Sequence, residues 1–132
     1  MKKKDGKLWF VQDYHALNLI TWKNRYPLPL IDGLIHHLKG AHHFTKLDVR
    51  WGYNNVQIHK GDEWKATFHT NQGLFEPLVM YFGLTNSLAA FQTMMNEIFK
   101  DLITEGIVSI YLNDILSGRH PRIPALPTSN ME

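Results

Sequence analysis

The sequence contains no cysteine. That excludes a disulfide framework and a cysteine-based zinc site. It also contains no apolar run of the length a membrane helix needs, and its start, Met1-Lys2-Lys3-Lys4, is charged where a secretory signal would be apolar. Net charge is small. Fourteen Lys and Arg against twelve Asp and Glu give +2, with a pI near 8.9. So mild a basic balance does not by itself require a nucleic-acid partner. No internal repeat is present. What remains is a chain of 132 residues, 44% hydrophobic, enough for one core and too apolar for disorder. The expectation is a soluble intracellular domain with no membrane association.

Basic residues gather at the N-terminus, where Lys2, Lys3, Lys4 and Lys7 surround an Asp5-Gly6 turn. Such a tip either contacts phosphate or is simply solvated. Residues 8–14 are aromatic and β-branched and predict a strand. Residues 15–30 predict an extended connection, with Pro27 and Pro29 blocking helix. Apolar positions 30, 31, 34, 35 and 38 predict a helix over 30–39, closed by Gly40. His36, His37, His42 and His43 do not read as a metal site: adjacent side chains diverge, and no carboxylate stands at ligand spacing.

Alternation predicts a strand over 43–49 that carries Asp48 near its end, broken by a turn at Gly52. Further strands are predicted at 55–58, 64–70 and 74–79, with a hairpin turn at Asn71-Gln72-Gly73. Thr85 or Asn86 is a candidate N-cap. The helix behind it, from Ser87 to about Asp101, places Leu88, Phe91, Met94, Met95, Ile98, Phe99 and Leu102 on one core-facing stripe. A strand at 107–111 then enters the turn Tyr111-Leu112-Asn113-Asp114, with a short return through Ile115 and Leu116. From Ser117 onward three prolines and the loss of periodicity predict an unstructured tail, 117–132.

Asp114 sits among residues that belong in a core. A lone buried charge is costly, and a divalent cation is a natural partner for it because Mg²⁺ takes oxygen ligands. Asn-Asp is also an ordinary surface turn. The strand that bears Asp48 tips the balance. If the two strands are neighbours, the carboxylates meet and can clamp metal ions for in-line displacement at phosphorus.

The runs Lys2-Lys3-Lys4-Asp5-Gly6, Gln12-Asp13-Tyr14-His15-Ala16-Leu17-Asn18, Lys23-Asn24-Arg25-Tyr26-Pro27-Leu28-Pro29, Phe44-Thr45-Lys46-Leu47-Asp48-Val49-Arg50-Trp51-Gly52-Tyr53, Phe82-Gly83-Leu84-Thr85-Asn86 and Tyr111-Leu112-Asn113-Asp114-Ile115-Leu116 resemble, in order, the reverse transcriptase of gypsy-type LTR retrotransposons. The resemblance covers residues 2–116. It implies an α+β fingers–palm fragment with a ferredoxin-like antiparallel palm sheet backed by helices. It implies an RNA-directed DNA polymerase using Mg²⁺ or Mn²⁺, with RNA/DNA primer-template and dNTP as partners and a cytoplasmic location. By the same resemblance Asp48 and Asp114 are the catalytic aspartates and, with the Val49 backbone carbonyl, the metal ligands. Tyr53 is the steric gate against a 2′-hydroxyl. Phe82 and Gly83 lie near the nucleotide, Lys3 reaches its phosphates, and Gln92 lies on the template side.

The departures point toward decay. Asn113 stands where the family has an aspartate. A unit charge ~4 Å from a divalent ion is worth about 8 kcal/mol gross at an effective dielectric of ~20, so even after desolvation its loss costs decades of rate. Trp9 and His15 stand where the family has arginines, and neither makes a bidentate phosphate contact. Leu88 replaces a proline at the start of the long helix. Strands upstream of Lys2, and the thumb, connection and RNase H regions after Leu116, are expected to be absent. The expectation is therefore a degenerate, severely impaired polymerase fragment. Its alternatives are a catalytically dead nucleic-acid-binding module and a non-functional relic. Strand edges left by truncation are expected to favour self-association.

Overall fold

A computed structural model describes Gly6 and residues 11–119. Of the strand expected over 8–14, residues 8–10 lie outside the described residues and residues 11–14 run into α1 without forming a strand. The basic residues Lys2, Lys3, Lys4 and Lys7, Trp9 and the tail beyond residue 119 also lie outside the described residues. The chain divides into two compact units. One comprises residues up to Tyr26 together with Trp51–Phe91, and the other Pro27–Arg50 together with Gln92 onward.

In the first unit, residues 15–20 are a helix rather than an extended connection. Helix α1 runs His15–Ile20. Asp13 starts it by accepting the His15 amide at 2.8 Å, and the Thr21 hydroxyl ends it on the Leu17 carbonyl at 2.7 Å. None of its residues is buried. A long-range polar clamp holds it instead: the Asn18 amide donates to the Gly83 carbonyl at 2.6 Å and accepts the Thr85 amide at 2.8 Å. The prolines act only after Ile20, where the chain does run extended.

The strand expected at 55–58 reduces to one bridge between Gln57 and Val79. A 3₁₀ turn, Gly52–Asn55, takes up the preceding residues. The strand expected at 64–70 likewise begins as a 3₁₀ turn, Glu63–Ala66. Here the Glu63 carboxylate accepts the Gly61 amide at 2.6 Å, and the polar turn continues into residues that alternation alone reads as strand. What remains is a small hairpin of β2, Phe68–Thr70, and β3, Gly73–Phe75. Pro77, which has no amide to donate, follows just beyond the end of β3. The unit's core is Tyr14, Tyr53, Ala66, Met80, Ala89 and Phe91.

The second unit holds α2, Ile31–His37, and the strand β1, His43–Asp48. Helix α3, Ser87–Ile98, spans the unit boundary, and after a break at Phe99 a short α4 covers Lys100–Thr104. The apolar stripe is narrower than its spacing suggests. Phe91 and Met95 are buried, whereas Leu88 and Ile98 are exposed, and the fully buried neighbour of Phe91 is Gln92. Strands β4, Val108–Tyr111, and β5, Asp114–Arg119, complete an antiparallel sheet of order β1-β5-β4.

The return strand is six residues long, not two. Ser117, Gly118 and Arg119, expected to begin the tail, pair with Thr45, Phe44 and His43 of β1. Gly118 shows why composition misleads there. A β-carbon at this position would stand 2.9 Å from a Leu38 methyl and 3.0 Å from the Ala41 β-carbon, so the glycine lets the segment after α2 close against the sheet. In the sheet as described, β1 is an edge strand and all six of its residues are exposed.

Candidate active site

The site is built on the β4–β5 hairpin. A two-residue loop, Leu112-Asn113, joins strands paired in the register Tyr111↔Asp114. Such tight loops need positive φ at their first residue, which usually selects glycine or asparagine. Here Leu112 adopts φ +52°, at a cost of roughly 1–2 kcal/mol for a side chain in the left-handed region. Its backbone amide donates to Gln92 Oε1 at 2.8 Å, while Gln92 Nε2 donates to the Ile110 carbonyl at 3.3 Å and to Asn96 Oδ1 at 2.8 Å. Gln92 is fully buried. Its side chain is committed to the end of β4 and the first loop residue and is not presented to solvent.

The register then delivers the carboxylates. Asp48, the last residue of β1, lies directly opposite Asp114, the first of β5. The Val49 amide donates to the Asn113 carbonyl at 2.8 Å. The neighbouring Asp48–Asp114 pair is therefore a non-hydrogen-bonded one, the class in which opposed side chains stand closest, with Cα atoms ~4.5 Å apart. Two like charges so placed repel. Lys46, two residues before Asp48 and on the same face of β1, relieves this through an ion pair with Asp114 Oδ2 at 3.0 Å.

In the loop, Asn113 precedes Asp114. Its Oδ1 is buried and accepts no hydrogen bond among the described residues, an uncommon and costly state for an amide oxygen. The Asp48 carboxylate on β1 and the Asp114 carboxylate and Asn113 amide oxygen on the β4–β5 hairpin are hard donors of the kind that suits Mg²⁺ or Mn²⁺. The set fits a divalent cation in kind and falls short in charge. No cluster of three His, Cys, Asp or Glu able to hold a metal occurs among the described residues.

The other candidate residues gather in the first unit. Tyr53 is 4% exposed. Its ring lies 4.7 Å from that of Phe82, edge-on, and 5.1 Å from that of Phe91. Phe82 is half exposed, and Gly83 has φ +99°, a conformation only glycine adopts easily. Nearby, the buried Tyr14 phenol donates to the Ala66 carbonyl at 3.0 Å, and burial, then the neighbouring Tyr81, pushes its pKa up. Lys3 lies outside the described residues.

The sequence pattern does not disclose three contributions: the Gln92 brace, the Lys46 counter-charge and the Asn18 clamp. The one signal for the first is a glutamine within an otherwise apolar helix stripe. Non-glycine residues with positive φ occur, among the described residues, at Leu112 and Trp51. They lie two residues before Asp114 and three after Asp48, and backbone strain of this kind concentrates at functional sites.

Comparison with known proteins identifies the family and the fold. The family described as reverse transcriptase (RNA-dependent DNA polymerase) matches residues 1–119. An RNA-directed DNA polymerase homolog from Oenothera berteroana is 48% identical over 104 residues, covering 79% of this chain and 72% of that protein. The transposon Tf2-3 polyprotein of Schizosaccharomyces pombe is 42% identical over 114 residues, which are 86% of this chain and 8% of the polyprotein. Among solved structures, a foamy viral protease-reverse transcriptase in complex with double-stranded DNA superposes with a TM-score of 0.80 at 23% identity, over 91% of this chain and 21% of that one. The same kind of protein in complex with an RNA/DNA hybrid gives a TM-score of 0.74 at 21% identity, over 85% of this chain and 15% of that one. At these identities the structures speak for the fold.

Proposed function

Because the chain belongs to the reverse transcriptase (RNA-dependent DNA polymerase) family, we propose that its β4–β5 hairpin is the metal-binding centre of an RNA-directed DNA polymerase weakened by one missing charge. The observation that carries this reading is Asp48 directly opposite Asp114 across the β1–β5 pairing. The motif runs support a gypsy-type LTR element as the source.

Asp48 and Asp114, with the Val49 carbonyl, would hold the divalent cation, which supplies charge neutralisation at the transferring phosphorus. The protein's own part is placement. Gln92 fixes the hairpin tip, and the β1–β5 register fixes the carboxylate separation. Lys46 neutralises Asp114 when no metal is bound and must release it for loading. Asn113 offers an oxygen without charge. Tyr53, whose ring packs against Phe82 and Phe91, is the proposed sugar gate, and the resemblance makes Lys3, outside the described residues, a proposed phosphate contact. RNA/DNA primer-template and dNTP are the proposed substrates.

Divalent-ion binding tests the reading directly. Mn²⁺ titration followed by electron paramagnetic resonance is expected to show weak binding by the natural chain. Asp48→Asn and Asp114→Asn should abolish it, and Asn113→Asp should tighten it. Binding that survives Asp48→Asn with Asp114→Asn would place the metal elsewhere. The orphaned Asn113 oxygen also favours a second reading, a nucleic-acid-binding module that no longer synthesises. It differs from the first in one result, the absence of any nucleotide incorporation when Asn113→Asp restores the charge.

A further inference from the structure

Trp22 is 92% exposed, an indole held almost wholly in water. A free loop would tuck such a ring away, since fully burying a large apolar side chain gains roughly 1.5–3 kcal/mol. This loop is not free. Asn86, just before α3, grips it on both sides: its Nδ2 donates to the Trp22 carbonyl at 2.9 Å and its Oδ1 accepts the Asn24 amide at 2.9 Å. Asn24 Oδ1 in turn accepts the Tyr26 amide at 3.0 Å. The backbone of residues 22–26 is thereby fixed while Trp22, Lys23 and Arg25 stand exposed. Thr21, Trp22, Lys23, Asn24 and Arg25 line an open hollow of about 840 Å³.

Charge selects the occupant. No carboxylate occurs between Asp13 and Asp32, and neither Lys23 nor Arg25 pairs with one among the described residues. A rigid aromatic face flanked by two uncommitted cations matches an anionic polymer that carries flat rings. We propose that the Trp22–Arg25 loop is a stacking platform for unpaired bases of single-stranded nucleic acid, with Lys23 and Arg25 taking the adjacent phosphates. A duplex does not satisfy it, because paired bases are already stacked. The inference shares the nucleic-acid partner of the preceding reading and is independent of synthesis.

The test is fluorescence anisotropy of the full chain with labelled oligo(U) and with a duplex of equal length, at two salt concentrations. The single strand is expected to bind more tightly. Trp22→Ala should weaken that binding about 5- to 160-fold, the range of base–aromatic stacking, while leaving duplex binding unchanged. Trp22→Phe should restore most of it. Lys23→Gln with Arg25→Gln should lower the logarithmic salt slope by about 1.4, roughly 0.7 per lost phosphate contact. Urea unfolding should leave Trp22→Ala as stable as the natural chain, because the ring is exposed. Unchanged oligo(U) binding in Trp22→Ala overturns the platform. So does equal loss on strand and duplex, no binding by the natural chain, or a dimer that Trp22→Ala dissociates, which would show the indole to be a protein contact. Loss of nucleotide incorporation with oligo(U) binding intact would instead count against the polymerase reading alone.

Discussion

Gln92 accepts the backbone amide of Leu112 at 2.8 Å. A fully buried side chain on α3 thus holds the strained residue of the hairpin tip, two positions from the Asp114 carboxylate. The contact explains how a leucine is kept at φ +52° without glycine. The helix supplies the hydrogen bond that the tight loop leaves unmade.

Replacing Gln92 with Leu should therefore do more than remove a contact. It leaves the Leu112 amide without the acceptor it has in Gln92, at about 1–3 kcal/mol for a stranded polar group. Urea unfolding should show a loss in that range, and hydrogen exchange at the Leu112 amide should accelerate more than at Ile110. Equal acceleration across β4 would mean that Gln92 only fills space.

Gly118→Val tests the packing that composition conceals. The added side chain meets Leu38 and Ala41 at 2.9–3.0 Å, and overpacking of this kind costs typically 1–3 kcal/mol. A matching fall in thermal stability is expected. No change in melting temperature would show that the segment after α2 is free to move away.

Lys46→Gln removes the ammonium that pairs with Asp114 at 3.0 Å. The pair is largely exposed, so it is worth at most about 1 kcal/mol. Mn²⁺ affinity should rise by up to about fivefold at low salt, with a smaller gain at high salt as screening takes over. A fall in affinity would make Lys46 part of the site rather than a competitor for it.

Tyr14 gives a pH signature. Burial, then Tyr81, raises its pKa above the usual value, so the folded state holds the phenolic proton more tightly than the unfolded one. The resulting stability is fully present below the unfolded pKa of ~10 and is lost as pH rises through the folded value. Denaturation midpoints should decline above about pH 10. Tyr14→Phe, which also loses the bond to Ala66 at roughly 1 kcal/mol, should flatten that decline.

The sequence discloses the site better than the fold around it. Asp48 at a strand end and Asp114 after an apolar strand are legible because strand alternation and a lone acid in a core are local signals, and the register does bring them opposite each other. Helix α1 is not legible, because it has no apolar stripe and is held by Asn18 reaching residues 65 and 67 positions away. Residues 55–58 and 64–70 alternate like strands, yet the first keeps only the Gln57–Val79 bridge and the second begins in the 3₁₀ turn Glu63–Ala66. Ser117–Arg119 read as tail because the prolines follow so closely. Their role in β5 depends on β1, more than sixty residues earlier. The brace by Gln92 is not legible, because its hydrogen bonds go to Ile110 and Leu112, 18 and 20 residues further on.

The most direct test of the central claim is primer extension on an RNA template with Mg²⁺, comparing the natural chain with Asn113→Asp. The restored charge is worth about 8 kcal/mol gross at a divalent ion. If a third of that survives desolvation, extension should rise at least about 100-fold, and Asp48→Asn should abolish the gain. Equal rates from the two chains, or no extension by Asn113→Asp while the protein remains folded, would contradict the view that the hairpin is a polymerase metal site short of one charge.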